Sequence, residues 1–81
     1  MKTLTIAPLP FGWSLEIPGD LPTVYRSGSA AETAGRRLAE GLAAAGEPVK
    51  LVIRLRDGAI AGRFLFSPPF TRGEPALGWA A

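Results

Sequence analysis

Apolar side chains recur at every second position over residues 3–7, where Leu4 and Ile6 alternate with Thr3, Thr5 and Ala7. That alternation predicts a short strand with one buried face. Pro8, Pro10 and Gly12 predict a turn after it. Trp13, Leu15 and Ile17 then alternate with Ser14 and Glu16, a second strand with one apolar side. A loop with Pro18, Gly19, Asp20 and Pro22 leads to residues 23–26, β-branched and aromatic, which predict a third strand returning antiparallel to the second.

From residue 30 the apolar period lengthens to that of a helix, which the pattern predicts over residues 30–45. Ser29 and Glu32 have the spacing of a capping box, in which two side chains satisfy exposed backbone donors. Ala34, Leu38 and Leu42, extended by Ala31 and Ala45, form the apolar stripe. Arg36, Arg37 and Glu40 fall off that stripe, at spacings that allow pairing in solvent. Gly35 and Gly41 weaken the helix but would let it approach a sheet closely. Gly46, followed by Pro48, has the position of a left-handed C-terminal cap.

Residues 49–56 and 59–66 flank Asp57 and Gly58, a pair that favours a two-residue type I′ hairpin turn. This register sets Leu55 opposite Ile60, Ile53 opposite Gly62, Leu51 opposite Phe64 and Val49 opposite Phe66. All of those side chains share one face, the natural seat for the helix. Lys50, Arg54, Arg56 and Arg63 are thereby predicted to point to the other face, around Val52 and Leu65. No acid from the hairpin joins them.

The expected fold is therefore α+β: an antiparallel sheet of four to five strands, in the order β-β-β-α-β-β, with one helix packed on one face. Its expected core is Trp13, Leu15, Ile17, Leu38, Leu42, Leu51, Ile53, Leu55, Ile60 and Phe64. Residues 1–66 form the single domain, and residues 67–81 a Pro/Gly-rich C-terminal tail that nevertheless carries Phe70, Leu77 and Trp79.

Composition narrows the chemistry. The 81-residue chain holds no Cys and no His, so it lacks the usual nucleophile–base pairs and the preferred ligands of soft metals. The acids have local tasks: Asp57 makes a turn, Glu32 a cap, and Glu40 a helix-surface pair. Glu16 alone lies in a strand, on the face away from the core. No catalytic residue, metal site or cofactor is expected. At 47% apolar content and +2 net charge the chain is globular and only mildly basic. No segment reaches the ~20 apolar residues of a membrane helix, and the N-terminus does not read as a signal peptide, so a cytoplasmic location is expected. Arg26, Ser27, Gly28 and Ser29 enter a helix N-terminus, a phosphate-binding geometry that the negative charge of Glu32 opposes.

Leu4, Thr5, Ile6, Ala7 and Pro8, then Gly12, Trp13, Ser14 and Leu15, precede the Ala-rich helix. Leu51, Val52 and Ile53, then Asp57, Gly58, Ala59 and Ile60, follow it. In this order the chain resembles a family of small, uncharacterised bacterial proteins over roughly residues 4–64, and the resemblance supports the fold. Arg54 stands where members commonly have a His, Ala59 where a polar or basic residue follows the turn glycine, and the tail has no counterpart.

Two functions follow as expectations for a small bacterial or phage protein. The first is a non-enzymatic interaction protein, as a homodimer or bound to another protein, through the outer sheet face or the tail. Val52, Leu65, Phe70, Leu77 and Trp79 would make those contacts. The alternative is a nucleic-acid-binding module that engages phosphates through Lys50, Arg54, Arg56 and Arg63.

Overall fold

A computed structural model of the chain describes residues 1–67. Five strands and one helix follow each other as β1 (Lys2–Leu9), β2 (Gly12–Glu16), β3 (Thr23–Tyr25), α1 (Gly28–Ala44), β4 (Val49–Arg54) and β5 (Ile60–Phe66). The fold is α+β: one sheet in the order β3-β2-β1-β4-β5, with α1 across one face.

The sheet is mixed, not wholly antiparallel. β1 and β4 pair parallel, while the other neighbouring pairs are antiparallel. Connectivity explains the difference. β2 reverses β1 and β3 reverses β2, so β3 runs in the direction of β1. The helix then carries the chain back along the sheet, and β4 sets out in that same direction beside β1. β1 consequently becomes the central strand. It runs on through Pro8, which pairs with Trp13 beyond the last β4 partner of β1, Ile6. On that one-sided stretch a proline is tolerated.

Centrality decides burial. Leu4, Ile6, Val49 and Leu51 are fully buried and form the middle of the core with Leu15, Ala31 and Ala39. Trp13, Ile17, Tyr25, Leu38, Leu42, Ile53, Phe64 and Phe66 pack around them and are partly buried. Two expected core residues are not there: Leu55 is 44% exposed and Ile60 38%.

The hairpin tip is the cause. Gly58 N–H donates to the Leu55 carbonyl (3.0 Å) and Leu55 N–H to the Ala59 carbonyl (2.8 Å). Asp57 Oδ1 accepts from Ala59 N–H at 2.9 Å, and Gly58 adopts φ 88°. This is a three-residue loop closed by a left-handed glycine, in place of the expected two-residue turn. It slips the tip by one residue, so Ile60 meets Arg54. A bulge follows at once: Ile53 pairs with Gly62, and Ala61 is left without a partner in β4. The second slip cancels the first. The predicted pairs Ile53–Gly62, Leu51–Phe64 and Val49–Phe66 are therefore all present.

The helix begins earlier than its apolar stripe suggests. Ser27 is the N-cap, and its hydroxyl accepts from Ala30 N–H at 3.0 Å. Glu32 takes no part in capping; it accepts from Arg36 at 2.9 Å. The expected Ser29–Glu32 capping box is thus replaced by a serine cap two residues upstream. Ser27→Ala should cost about 1 kcal/mol of stability, the usual value of a lost N-cap. Ser29→Ala, at an exposed position, should leave the urea midpoint nearly unchanged. The C-terminus matches the expectation for Gly46. Gly46 (φ 98°) donates to Ala43 O at 3.0 Å and Glu47 N–H donates to Leu42 O at 2.9 Å, which is a Schellman motif.

The helix face on the sheet is one of small residues: Ala31, Gly35, Ala39 and Ala43 are buried, with Ala34, Leu38 and Leu42 beside them. A Cβ on Gly35 would lie 3.2–3.4 Å from methyl carbons of Leu51, Ile6 and Leu15. Gly35 therefore marks the closest approach of helix to sheet. Gly41 faces open space and has no such role. Arg36, expected in solvent, instead lies over the Phe64 ring, its guanidinium carbon 4.2 Å from the centroid. A cation over an aromatic face is favourable, and the Arg stem also shields the ring. The same ring covers Gly62, where a Cβ would approach it to 2.9 Å.

Gly12 and Trp13 also acquire separate physical roles. A Cβ at Gly12 would lie 2.5 Å from the Tyr25 carbonyl oxygen, so only glycine lets β3 approach β2 there. Trp13 packs its indole on Gly28 at the start of α1, with room for no side chain between them.

Candidate interaction surface

α1 covers one sheet face, and no described element covers the other. On that open face the alternation of each strand brings up Thr3, Thr5 and Ala7 from β1, and Ser14 and Glu16 from β2. Val24 comes from β3, Lys50, Val52 and Arg54 from β4, and Arg63 and Leu65 from β5. The pairings align them in rows. One row reads Glu16, Thr5, Val52, Arg63, crossing β2, β1, β4 and β5. The row on one side carries Thr3, Lys50 and Leu65. On the other side Val24, Ser14 and Ala7 align across β3, β2 and β1, and Arg54 pairs with Ile60 beyond the last β1–β4 pair.

Lys50, Arg54 and Arg63 are brought together here, all exposed, around Val52. Val52 itself is only 8% exposed. The expected accessible contact at this position is absent: flanked by Thr5 and Arg63 on neighbouring strands, Val52 is the floor of the patch. Leu65 is open, at 63% exposure, and Val24 on the opposite edge strand at 62%. Arg56 does not join the patch. The three-residue loop turns it toward the β1–β2 connection, where its Nη1 donates to the Leu9 carbonyl at 3.0 Å. There it ties the two turns together. Phe70, Leu77 and Trp79 lie outside the described residues.

Glu16 is the member that hairpin reasoning alone leaves out. Its orientation away from the core is legible in the alternation of β2. Its alignment with Arg63 depends on β4 lying beside β1, a long-range pairing with no local signal. Among the described residues, neither Glu16 nor Lys50, Arg54 or Arg63 forms an ion pair; the pairs present are Lys2–Glu47 and Glu32–Arg36. Ser14 is buried on this face, with its hydroxyl 3.4 Å from the Ala7 carbonyl. Where β5 forms the sheet edge, Met1, Lys50, Arg63, Phe64 and Leu65 line a shallow open groove of about 410 Å³.

Hydrogen bonds to carboxylates or phosphates, ion pairs and small apolar contacts are what this face can make. None of the described strand positions that alternation brings to this face is aromatic, and the Phe64 ring at the edge groove is taken up by Arg36, so the face itself offers no platform for stacking bases. Among the described residues no group of three acids could hold a metal ion, and no helix is long and apolar enough to cross a membrane. Compared with protein-family models, with curated proteins and with solved structures, the chain matches none.

Proposed function

We propose that this is a non-enzymatic interaction protein whose working surface is the open face of the sheet, and that it self-associates there. The observation that carries the reading is the single-sided helix cover. Among the described residues nothing covers the second face of the five-stranded sheet, where Leu65 and Val24 are exposed and both charge signs are present. A sheet face of this kind packs on another about 10 Å away, its side chains interdigitating.

Sedimentation velocity over a concentration series tests this. The wild-type protein should associate, and Thr5→Lys, which plants a cation at the centre of the face, should remain monomeric. A wild type that stays monomeric at every concentration, or a Thr5→Lys protein that associates equally well, counts against the reading.

Nucleic-acid binding is the second reading, supported by the grouping of Lys50, Arg54 and Arg63. It makes the opposite prediction for the same variant. Affinity for generic DNA or RNA should fall steeply with salt, disappear in Arg54→Glu and be kept or raised in Thr5→Lys. Absence of binding at low salt eliminates it.

A further inference from the structure

Resting on the proposal that the open face docks a second copy, we infer how the copies are oriented: about a two-fold axis running along the strands between β1 and β4, with Glu16 of each copy facing Arg63 of the other. The inference comes from the order of the row Glu16, Thr5, Val52, Arg63. An acid stands at one end and a base at the other, with small or apolar residues between. The two ends are three strand spacings apart, roughly 14 Å, too far to pair within one copy. Neither has an ionic partner among the described residues.

A closed dimer requires a surface complementary to itself. Rotation about an axis along the strands exchanges β2 with β5 and β1 with β4 while keeping each row in place. Glu16 then lies over Arg63 of the second copy, twice, and Thr5 over Val52. Lys50 falls over Thr3 and Arg54 over Ala7, so neither cation confronts its own kind. The other aligned way to stack these faces has its axis across the strands. It lays β2 on β2 and β5 on β5, with Glu16 over Glu16, Arg63 over Arg63, and Lys50 over Arg54. Like charges brought together in an interface are costly, so the charge pattern selects the first arrangement.

The geometry has a signature that no general stickiness reproduces. Glu16→Arg sets arginine over arginine at both symmetry-related contacts, and Arg63→Glu sets glutamate over glutamate. Each variant alone should need at least about tenfold more protein to dimerise, as like-charge juxtaposition dictates. Mixed in equal amounts, the two should form a heterodimer. In it the arginine introduced by the first substitution meets the glutamate introduced by the second, and the remaining native Arg63 meets the remaining native Glu16. The double variant, with both charges exchanged, should dimerise like the wild type.

Native mass spectrometry of the mixture and sedimentation of each protein provide the readout. Circular dichroism confirms that each variant is folded, and an observed heterodimer shows it independently. A wild-type dimer abolished by Thr5→Lys but indifferent to both charge variants would overturn this orientation while leaving the open-face reading intact. A mixture no more associated than its components would overturn the orientation too. A wild-type monomer at every concentration would remove the face as a docking site altogether.

Discussion

Leu51→Ala is expected to lower the unfolding free energy by about 3–4 kcal/mol, within the range for a fully buried leucine replaced in a packed core. Leu51 has no exposed surface, pairs with Leu4 on β1 and Phe64 on β5, and lies under Gly35 of the helix. Removing its side chain opens a cavity bounded by both layers, and neither a central strand nor a helix anchored at both ends can close it. Natural domains carry roughly 0.05–0.15 kcal/mol of stability per residue, so a chain of 81 residues loses a large part of its total. Leu55→Ala is the matched control. Leu55 is 44% exposed at the slipped hairpin tip, and its truncation should cost less than about 1 kcal/mol. Urea titration of the two variants checks both figures. Equal losses would mean that the two-residue turn, and not the bulged hairpin, describes the tip.

Gly35→Leu is expected to be comparably damaging, costing about 2–3 kcal/mol as overpacking does, even after the gain in helix propensity over glycine. Its first carbon already meets Leu51, Ile6 and Leu15 at 3.2–3.4 Å, and the remaining atoms have nowhere to go unless the helix lifts from the sheet. The loss would appear as a lower melting temperature with exposed apolar surface, reported by binding of a hydrophobic dye. Gly41→Ala in the same helix should act in the opposite direction. Nothing lies within 4 Å of a Cβ there, so the helix gains propensity and the unfolded chain loses freedom, for about 0.5–1 kcal/mol of added stability. Two glycines six positions apart thus serve as opposite probes of one packing distance. If both substitutions stabilised the protein, the close helix–sheet contact would be wrong.

These expectations rest on features of unequal visibility in the chain. The Gly46 cap, the Asp57–Gly58 reversal and the alternation of Val49, Leu51 and Ile53 depend on neighbours in sequence, and local pattern is enough to read them. The Ser27 cap is harder because both Ser27 and Ser29 can cap a helix. Ser29 has the better spacing to a glutamate, but Glu32 is drawn away by Arg36 one helical turn on. The stripe of Ala31, Gly35, Ala39 and Ala43 escapes a hydrophobicity pattern for a related reason. Hydrophobicity points to the leucines, whereas a helix pressed onto a sheet puts its smallest residues at the closest contact and its leucines at the flanks.

Local spacing by itself determined four to five strands and one helix in the order β-β-β-α-β-β, which faces of β1, β2 and the β4–β5 hairpin are apolar, and that Lys50, Arg54 and Arg63 share the opposite side. Only the tertiary structure decided that β4 lies parallel to β1, that Val52 is a floor and not a contact, that Arg56 belongs to the turn, and that Glu16 and Arg63 end one row. The division has a physical cause. Alternation, caps and turns are energies between residues a few positions apart. The choice of strand neighbour is made by the helix crossover and by shared burial across about 47 residues, the separation of Thr5 from Val52, and nothing near either residue records it.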